Sequence, residues 1–283
     1  MTRQGTTVGL LHPGSMGAAF GSQLTARGIT VLWCPDGRSE ASRKRAEHAG
    51  LKPASLPSLL DHADILLSLC PPAAATEIAT LVASHGFAER TYVEANAISP
   101  ERVKRIAALL PGTETIDASV VGSPPVGGKT ATLYLAGKQT HSETVESLFT
   151  GTDIRTRTLG TEVGAASALK LAYSSYQKTS RVLAALAYGA AQAHGVGEEL
   201  LAIAGKRTSS YLTETGYITK TAARAWRWGP ELSDAASLLS DAGLPDELML
   251  AAAATLERWA TARDTPLSVE EALALLRRDP DDG

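Results

Sequence analysis

Three stretches of this sequence hold side chains whose types and spacing suit chemistry. The first is Gly164-Ala165-Ala166-Ser167-Ala168-Leu169-Lys170-Leu171-Ala172-Tyr173-Ser174-Ser175, where one cation stands among small and apolar residues. Ser167, Lys170, Ser174 and Gln177 recur at helical spacing and form one polar stripe. A lysine so placed must pair or point into a polar cleft, where desolvation makes an amine release its proton more readily and suits it to acid–base work. The other reading is a stem lying along an apolar seam with its ammonium in water. Spacing alone leaves both open.

The second stretch is the apolar run Thr7-Val8-Gly9-Leu10-Leu11, which opens through His12-Pro13-Gly14-Ser15-Met16-Gly17 into a helical pattern. A turn that wraps a dinucleotide pyrophosphate wants three glycines: one for the tight bend, one for close approach of the diphosphate, one for packing helix on strand. Gly14 and Gly17 fill the second and third positions, and His12 stands at the first. The reading is a dinucleotide turn in which His12, Pro13, Gly14, Ser15 and Met16 surround the diphosphate; a plain tight turn is the bland alternative. His12 itself reads as a turn residue with a satisfied side chain rather than as an acid–base group.

The third stretch, Trp33-Cys34-Pro35-Asp36-Gly37-Arg38-Ser39-Glu40-Ala41-Ser42-Arg43, follows the second apolar run and bears on the choice of dinucleotide. An acid here reads a free ribose 2′-hydroxyl, whereas an arginine accommodates a 2′-phosphate. Asp36 lies beyond Pro35 and beside Gly37, so it points out of a turn. Arg38 and Ser39 offer a guanidinium fork and a hydroxyl at a helix start, and Arg43 adds a second charge one turn on. The expectation is NADP(H) rather than NAD(H). Lys44 and Arg45 read as a solvated helix face. Gly122-Ser123-Pro124-Pro125-Val126-Gly127-Gly128-Lys129-Thr130 resembles a triphosphate loop but has Ser123 where that loop needs glycine, and it leads into a strand pattern, so triphosphate hydrolysis is excluded.

These residues need elements to hold them. Short apolar runs at Thr7–Leu11, Ile29–Cys34, Ala63–Leu69, Thr91–Glu94, Thr115–Ala118 and Ala131–Ala136 alternate with helical patterns at Met16–Arg27, Ser39–Ala49, Thr76–Ala83 and Pro100–Leu110. Such alternation implies right-handed crossovers and a doubly wound, mostly parallel sheet of Rossmann type. Near Gly160 the strand period stops. A long alanine-rich helical pattern from Glu162 to about His194 is apolar on most sides, which predicts burial between subunits or domains. Helical patterns at Glu199–Leu212 and Pro245–Ala262 follow. The expectation is an α/β domain over residues 1–160 and an all-α domain over 161–283.

With 283 residues the chain is long enough for two cored domains. Its 27 basic and 30 acidic residues argue against a nucleic-acid-coating or polybasic membrane protein. Cys34 and Cys70 are too few for a disulfide framework or a cysteine-rich zinc site, and no metal is expected. No apolar stretch is long enough to span a bilayer, and the N-terminal region lacks the apolar core of a signal peptide, so a cytoplasmic protein is expected.

The arrangement resembles the β-hydroxyacid dehydrogenase superfamily, which includes 3-hydroxyisobutyrate and 6-phosphogluconate dehydrogenases and, as divergent members, imine reductases. Val8 to Gly17 is similar to the family's cofactor turn. Val93-Glu94-Ala95-Asn96-Ala97-Ile98-Ser99-Pro100 looks like its nicotinamide-side segment, and Asp117-Ala118-Ser119-Val120-Val121-Gly122-Ser123 like its substrate segment. Gly164 with Lys170 is similar to its catalytic helix. Ala225-Trp226-Arg227-Trp228-Gly229-Pro230-Glu231-Leu232 resembles a branch with a phosphogluconate-dehydrogenase-type C-terminal domain. The chain departs from the family at Ser174, Val121 and Ser123, where Asn, Ser and Gly are usual.

The resemblance implies hydride transfer between NADP(H) and a small carbonyl or hydroxy compound in a cleft between the domains, with Lys170 as general acid–base and Ser174 beside it. Asn96 is expected to position the cofactor, and Cys70 lies near its path as a small buried residue. Ser119, Gly122 and Ser123 are expected on the substrate. The resemblance also implies a homodimer with interlocked helices. Imine reduction and a non-catalytic NADP(H)-sensing role remain as alternatives, as does an S-adenosylmethionine-type α/β binder.

Overall fold

The computed structural model describes residues 5–207, 211, 214–263 and 265–277, which fall into two compact units, Met1–Ser174 and Ser175–Gly283. In the first unit strands and helices alternate: β1 (Thr7–Leu10), α1 (Ser15–Ala26), β2 (Thr30–Trp33), α2 (Glu40–His48), β3 (Lys52–Pro53), α3 (Leu56–His62), β4 (Ile65–Ser68), α4 (Ala75–Ser84), β5 (Thr91–Glu94), α5 (Pro100–Leu109), β6 (Glu114–Gly122), β7 (Ala131–Ala136), α6 (Gln139–Phe149) and β8 (Ile154–Thr158). The strands form one sheet in the order β3-β2-β1-β4-β5-β6-β7-β8. All neighbours are parallel except β6 and β7. This is the doubly wound, mostly parallel sheet that the alternation predicts, with the strand order reversing between β1 and β4.

Period-two alternation sends apolar side chains to both faces of the sheet. Val8, Leu10, Val31, Leu67, Val93 and Ile116 meet Phe20 and Leu24 of α1 and Val145, Leu148 and Phe149 of α6. Leu66 and Tyr92 face the other way, onto Leu59 of α3, Ala79 of α4 and Val103 and Ile106 of α5. Serines cap the starts of α2, α3 and α5: Ser39, Ser55 and Ser99 each accept from a backbone N–H in the first turn.

The long helix α7 (Ala165–Ala193) begins in the first unit and continues into the second. By compactness the division falls inside this helix, whose first turns are fastened to β6. In the second unit α8 (Gly197–Ala204), α9 (Ile218–Asp241), α10 (Glu247–Glu257) and α11 (Val269–Arg277) follow, with no strand among the described residues. The helix expected over Glu199–Leu212 is shorter, ending at Ala204, and residues 208–210 and 212 lie outside those described. Ala222, Ala225, Leu256 and Trp259 make one core there, and Trp259 Nε1 donates to Ala272 O at 2.8 Å. Among the described residues no helix is long and apolar enough to cross a membrane. On α7, Leu169, Tyr173, Leu183 and Tyr188 are exposed.

The fastening of α7 is a buried carboxylate. Asp117 of β6, fully buried, accepts from Gly164 N at 2.9 Å, Ser167 N at 3.1 Å and Ser167 Oγ at 2.6 Å. It does for α7 what an N-cap side chain does, from another element. Asp117→Ala should lower stability by about 3 kcal/mol, since it strands buried donors, while Asp117→Asn should lose less because an amide oxygen still accepts. Urea denaturation of the three proteins checks the order; equal stability of Asp117→Ala and wild type would show that the helix start is held otherwise.

Candidate functional site

In open α/β sheets, ligands bind outside the carboxyl ends of the strands near the switch point. Most residues singled out from the sequence meet that edge. The turn after β1 carries His12 to Gly17, the loop after β2 carries Arg38, Cys70 follows β4 and Asn96 follows β5. In register, Ser68 pairs with Glu94 and Glu94 with Asp117, so β4 and β5 end level with Asp117. Strand β6 runs on to Gly122, and Val120, where Lys170 is held, lies three residues, or about 10 Å, further out.

The turn is built close. A Cβ on Gly17 would lie 2.3 Å from His12 O, which explains why only glycine stands there. Helix α1 starts at Gly14 with no side-chain cap, so its first N–H groups remain for an acceptor from elsewhere. Two arginines strap this turn from the β2–α2 side. Arg38 Nη2 donates to Leu11 O and Nη1 to His12 Nδ1, both at 3.0 Å, while its buried Nε has no partner among the described residues. Arg45 Nε donates to Pro13 O at 3.2 Å and its Nη2 to Ser42 Oγ at 3.0 Å. Burial first, and then the charges of Arg38 and Arg45, hold the His12 imidazole below its ordinary pKa.

Other residues of this loop fall out differently. Asp36 is exposed, as its place beside Gly37 implies. Ser39 Oγ accepts from Ser42 N and is the cap of α2. Arg43 is exposed and its Nη2 reaches Pro35 O at 2.8 Å, whereas Arg45, read from the sequence as solvated, is half-buried against the turn. The helical period separates residues 43 and 45 by two positions, on different sides of α2, and only the start of α2 decides which side meets the turn.

Beside the turn lies a buried polar row. Asn96, 3% exposed, donates through Nδ2 to Ser68 Oγ at 3.0 Å, to Cys70 Sγ at 3.3 Å and to Glu94 Oε1, and through its backbone N to Glu94 Oε1 at 3.0 Å. Asn96 Oδ1 is buried and has no partner among the described residues. Burial raises the Cys70 thiol, with Glu94 adding to it, as for a small packed thiol. Glu94 and Asp117 were not singled out as site residues. The available signal was a carboxylate within an otherwise apolar buried run: Glu94 at the end of β5 and Asp117 inside β6.

On β6 the substrate segment divides. Ser119 is buried with Oγ lacking a partner among the described residues, and Ser123 is exposed. Gly122 has φ of 125°, and a Cβ there would lie 2.9 Å from Thr130 O, so the backbone is bare by necessity. Lys170, one turn beyond Ser167, donates from Nζ to Val120 O at 2.8 Å. Ser174, one turn further, is buried. The geometry thus selects a tethered cation rather than one snorkelling into water. Together these residues offer a glycine turn open to a diphosphate, a guanidinium beside it, and an ammonium over a bare strand end.

Comparison with known proteins adds the following. Residues 191–259 match a domain of unknown function, DUF1932. An uncharacterised 28.5 kDa protein of Methanothermus fervidus is 26% identical over 183 residues, covering 64% of this chain and 70% of that protein. An imine reductase from Bacillus cereus superposes with a TM-score of 0.77 at 16% identity, over 97% of this chain and all (100%) of that one. A reductive aminase from Aspergillus terreus, in complex with NADPH and ethyl levulinate, gives 0.74 at 19% identity over 98% and 100%. A conserved protein described as structurally similar to 3-hydroxyacid dehydrogenases gives 0.60 at 23% identity over 90% and 98%. The fold is therefore the one that 3-hydroxyacid dehydrogenase-like proteins and imine reductases share, as the resemblance in sequence implies.

Glu94 gives the polar row a pH signature. Burial pushes its carboxyl up to about 7, against the hydrogen bonds from Asn96 and Tyr92, and the charge of Asp117 adds to the rise. A carboxyl raised in the fold holds its proton more tightly there than in the unfolded chain. Its stabilising contribution is full below about pH 4.5 and fades as pH rises through about 7. The stability difference between wild type and Glu94→Gln should fall by about 3 kcal/mol from pH 4.5 to pH 8. Denaturant titrations at the two pH values check this; a constant difference would mean that Glu94 is ionised throughout.

Proposed function

We propose that this chain is an NADP(H)-dependent oxidoreductase that moves hydride between a nicotinamide and a small carbonyl or hydroxy compound, with Lys170 as the general acid–base. The observation that carries the reading is Lys170 Nζ held at 2.8 Å on Val120 O, past the carboxyl ends of β4 and β5. The residues present fit the cofactor. A Cβ at position 17 would fill the space in which the turn folds, the start of α1 is uncapped, and the Arg38 guanidinium stands at the neighbouring loop. The orphaned Asn96 Oδ1 is an acceptor suited to a donor on a ligand. The fold shared with an NADPH-bound reductive aminase agrees with this choice.

When bound, the nicotinamide supplies or accepts the hydride. The chain's own part is charge and position. Backbone N–H groups at the start of α1 and the charge of Arg38 hold the dinucleotide's phosphates, with Arg38 reading a 2′-phosphate. As a carbonyl carbon gains hydride, its oxygen becomes an alkoxide, and the Lys170 ammonium donates a proton to it; in oxidation the neutral amine takes that proton back. Ser174 and the exposed backbone at Gly122 are available to orient the substrate. Imine reduction is the second reading, favoured by the higher TM-scores with an imine reductase and a reductive aminase, 0.77 and 0.74 against 0.60 for the hydroxyacid-dehydrogenase-like protein.

We also read the chain as a homodimer. Among its described residues α7 exposes Leu169, Tyr173, Leu183 and Tyr188, apolar side chains that a partner surface would cover. In the second unit a cavity of about 490 Å³ is lined by Leu183, Ala187, Ala190, Leu200, Ile203 and Met249, among others. A second copy covers such a face at no cost in unpaired polar groups.

Lys170→Ala should bind NADPH with nearly wild-type affinity and lose at least about 100-fold in kcat on ketoacids, hydroxyacids or aldehydes. Retained turnover confined to cyclic imines would favour the second reading. Cofactor binding with no turnover by wild type on any of these would point to a sensing role instead. Arg38→Ala should weaken NADPH by at least about 10-fold and NADH by little, read by quenching of protein fluorescence.

A further inference from the structure

The sequence puts histidine where a dinucleotide turn has its first glycine, and the structure gives that histidine a partner. Arg38 Nη1 and Nη2 donate to His12 Nδ1 and to Leu11 O, each at 3.0 Å. Two bonds from adjacent residues to the two terminal nitrogens fix both the position and the plane of a guanidinium. An arginine only donates, so Nδ1 is the acceptor and the ring proton resides on Nε2. The ring in turn is seated on Gly14: a Cβ there would lie 3.1 Å from Cδ2 and 3.3 Å from Nε2 of the imidazole. Gly14 therefore serves the histidine as well as the diphosphate. The charged groups that act on the imidazole are Arg38 from the β2–α2 loop and Arg45 from α2; with burial, both hold the ring in its neutral, accepting form.

We infer that His12 is a positioning residue for Arg38, setting its fork toward a 2′-phosphate, so that the phosphate-binding turn itself governs discrimination between NADP(H) and NAD(H). This rests on the NADP(H) reading above and goes beyond it, since that reading needs only Arg38. Nη1 and Nη2 each carry two hydrogens. One of each is spent on the turn, and the other remains for an acceptor on the ligand. Without the imidazole, Leu11 O alone grips the guanidinium, which then turns about a single bond. A 2′-phosphate, which needs the fork, loses by this; a ribose hydroxyl does not.

The test uses 2′,5′-ADP and 5′-AMP as probes, with binding measured by titration calorimetry on the full chain. Wild type should bind 2′,5′-ADP at least about 10-fold more tightly than 5′-AMP. His12→Ala should lose most of that ratio with 5′-AMP affinity within about twofold of wild type, and His12→Asn, whose amide oxygen can accept from Arg38, should recover it. In an Arg38→Ala background His12→Ala should change the ratio no further. Additive losses, or an equal loss for both probes, would overturn the positioning role. Wild type that binds both probes alike would overturn the NADP(H) reading itself and this inference with it. If His12→Ala fails to fold, His12→Asn and His12→Leu decide the matter: retention by leucine, which cannot accept, overturns the inference.

Discussion

The carboxylate of Asp117 is the constraint on which the arrangement of the site depends. A charge taken out of water is costly unless every lone pair finds a donor. Here the donors are Gly164 N, Ser167 N and Ser167 Oγ, all at the start of α7. The pairing satisfies two needs at once: the helix start has N–H groups without intrahelical partners, and the sheet has a buried anion. It also sets the phase of α7 against β6. Once Ser167 is locked onto Asp117, Lys170 stands one turn on and its amine reaches Val120, three residues along the same strand. Helix and strand are thereby joined at two rungs, and the cation is aimed by the anion without touching it.

Burial, with the charge of Asp117 adding to it, sets the state of the neighbouring carboxyl. Glu94 stands opposite Asp117 in register, fully buried, and two adjacent carboxylates in a dry sheet do not both ionise cheaply. Burial raises both carboxyls, and it pushes Glu94 up to about 7. A neutral or half-neutral Glu94 can sit between Tyr92 and Asn96 and still accept from both. The result is a polar layer from Ser68 through Glu94 to Asp117 at the carboxyl edge of the sheet, ending in Asn96 Oδ1, which has no partner among the described residues. Apolar packing above and below keeps this layer from rearranging, which is what a site needs if its groups are to stay put.

On the β1 side the logic is inverted: cations from one loop and one helix fasten the carbonyls of a turn. Leu11 O and Pro13 O are held by Arg38 and Arg45. A glycine-rich turn is entropically loose, and two arginines remove that looseness and place positive charge beside it.

The sequence by itself determined the alternation of strands and helices, the parallel sheet, the glycine turn and the position of Lys170 on a helix, because each follows from local periodicity or from the steric limits of a few residues. It missed β3, α3, α6 and β8. Lys52–Pro53 is too short to show a period, and only Ile154 in β8 is buried, so that strand reads as polar. It also read Arg45 as solvated where the fold seats it on Pro13 O, since the side of a helix that meets the turn depends on the angle at which α2 leaves the sheet. Only the tertiary structure decided that Lys170 is tethered to Val120, that Asp117 caps a helix 47 residues away, and that His12 belongs to Arg38. Those are contacts between residues distant in the chain, and no spacing along one segment encodes the distance between two.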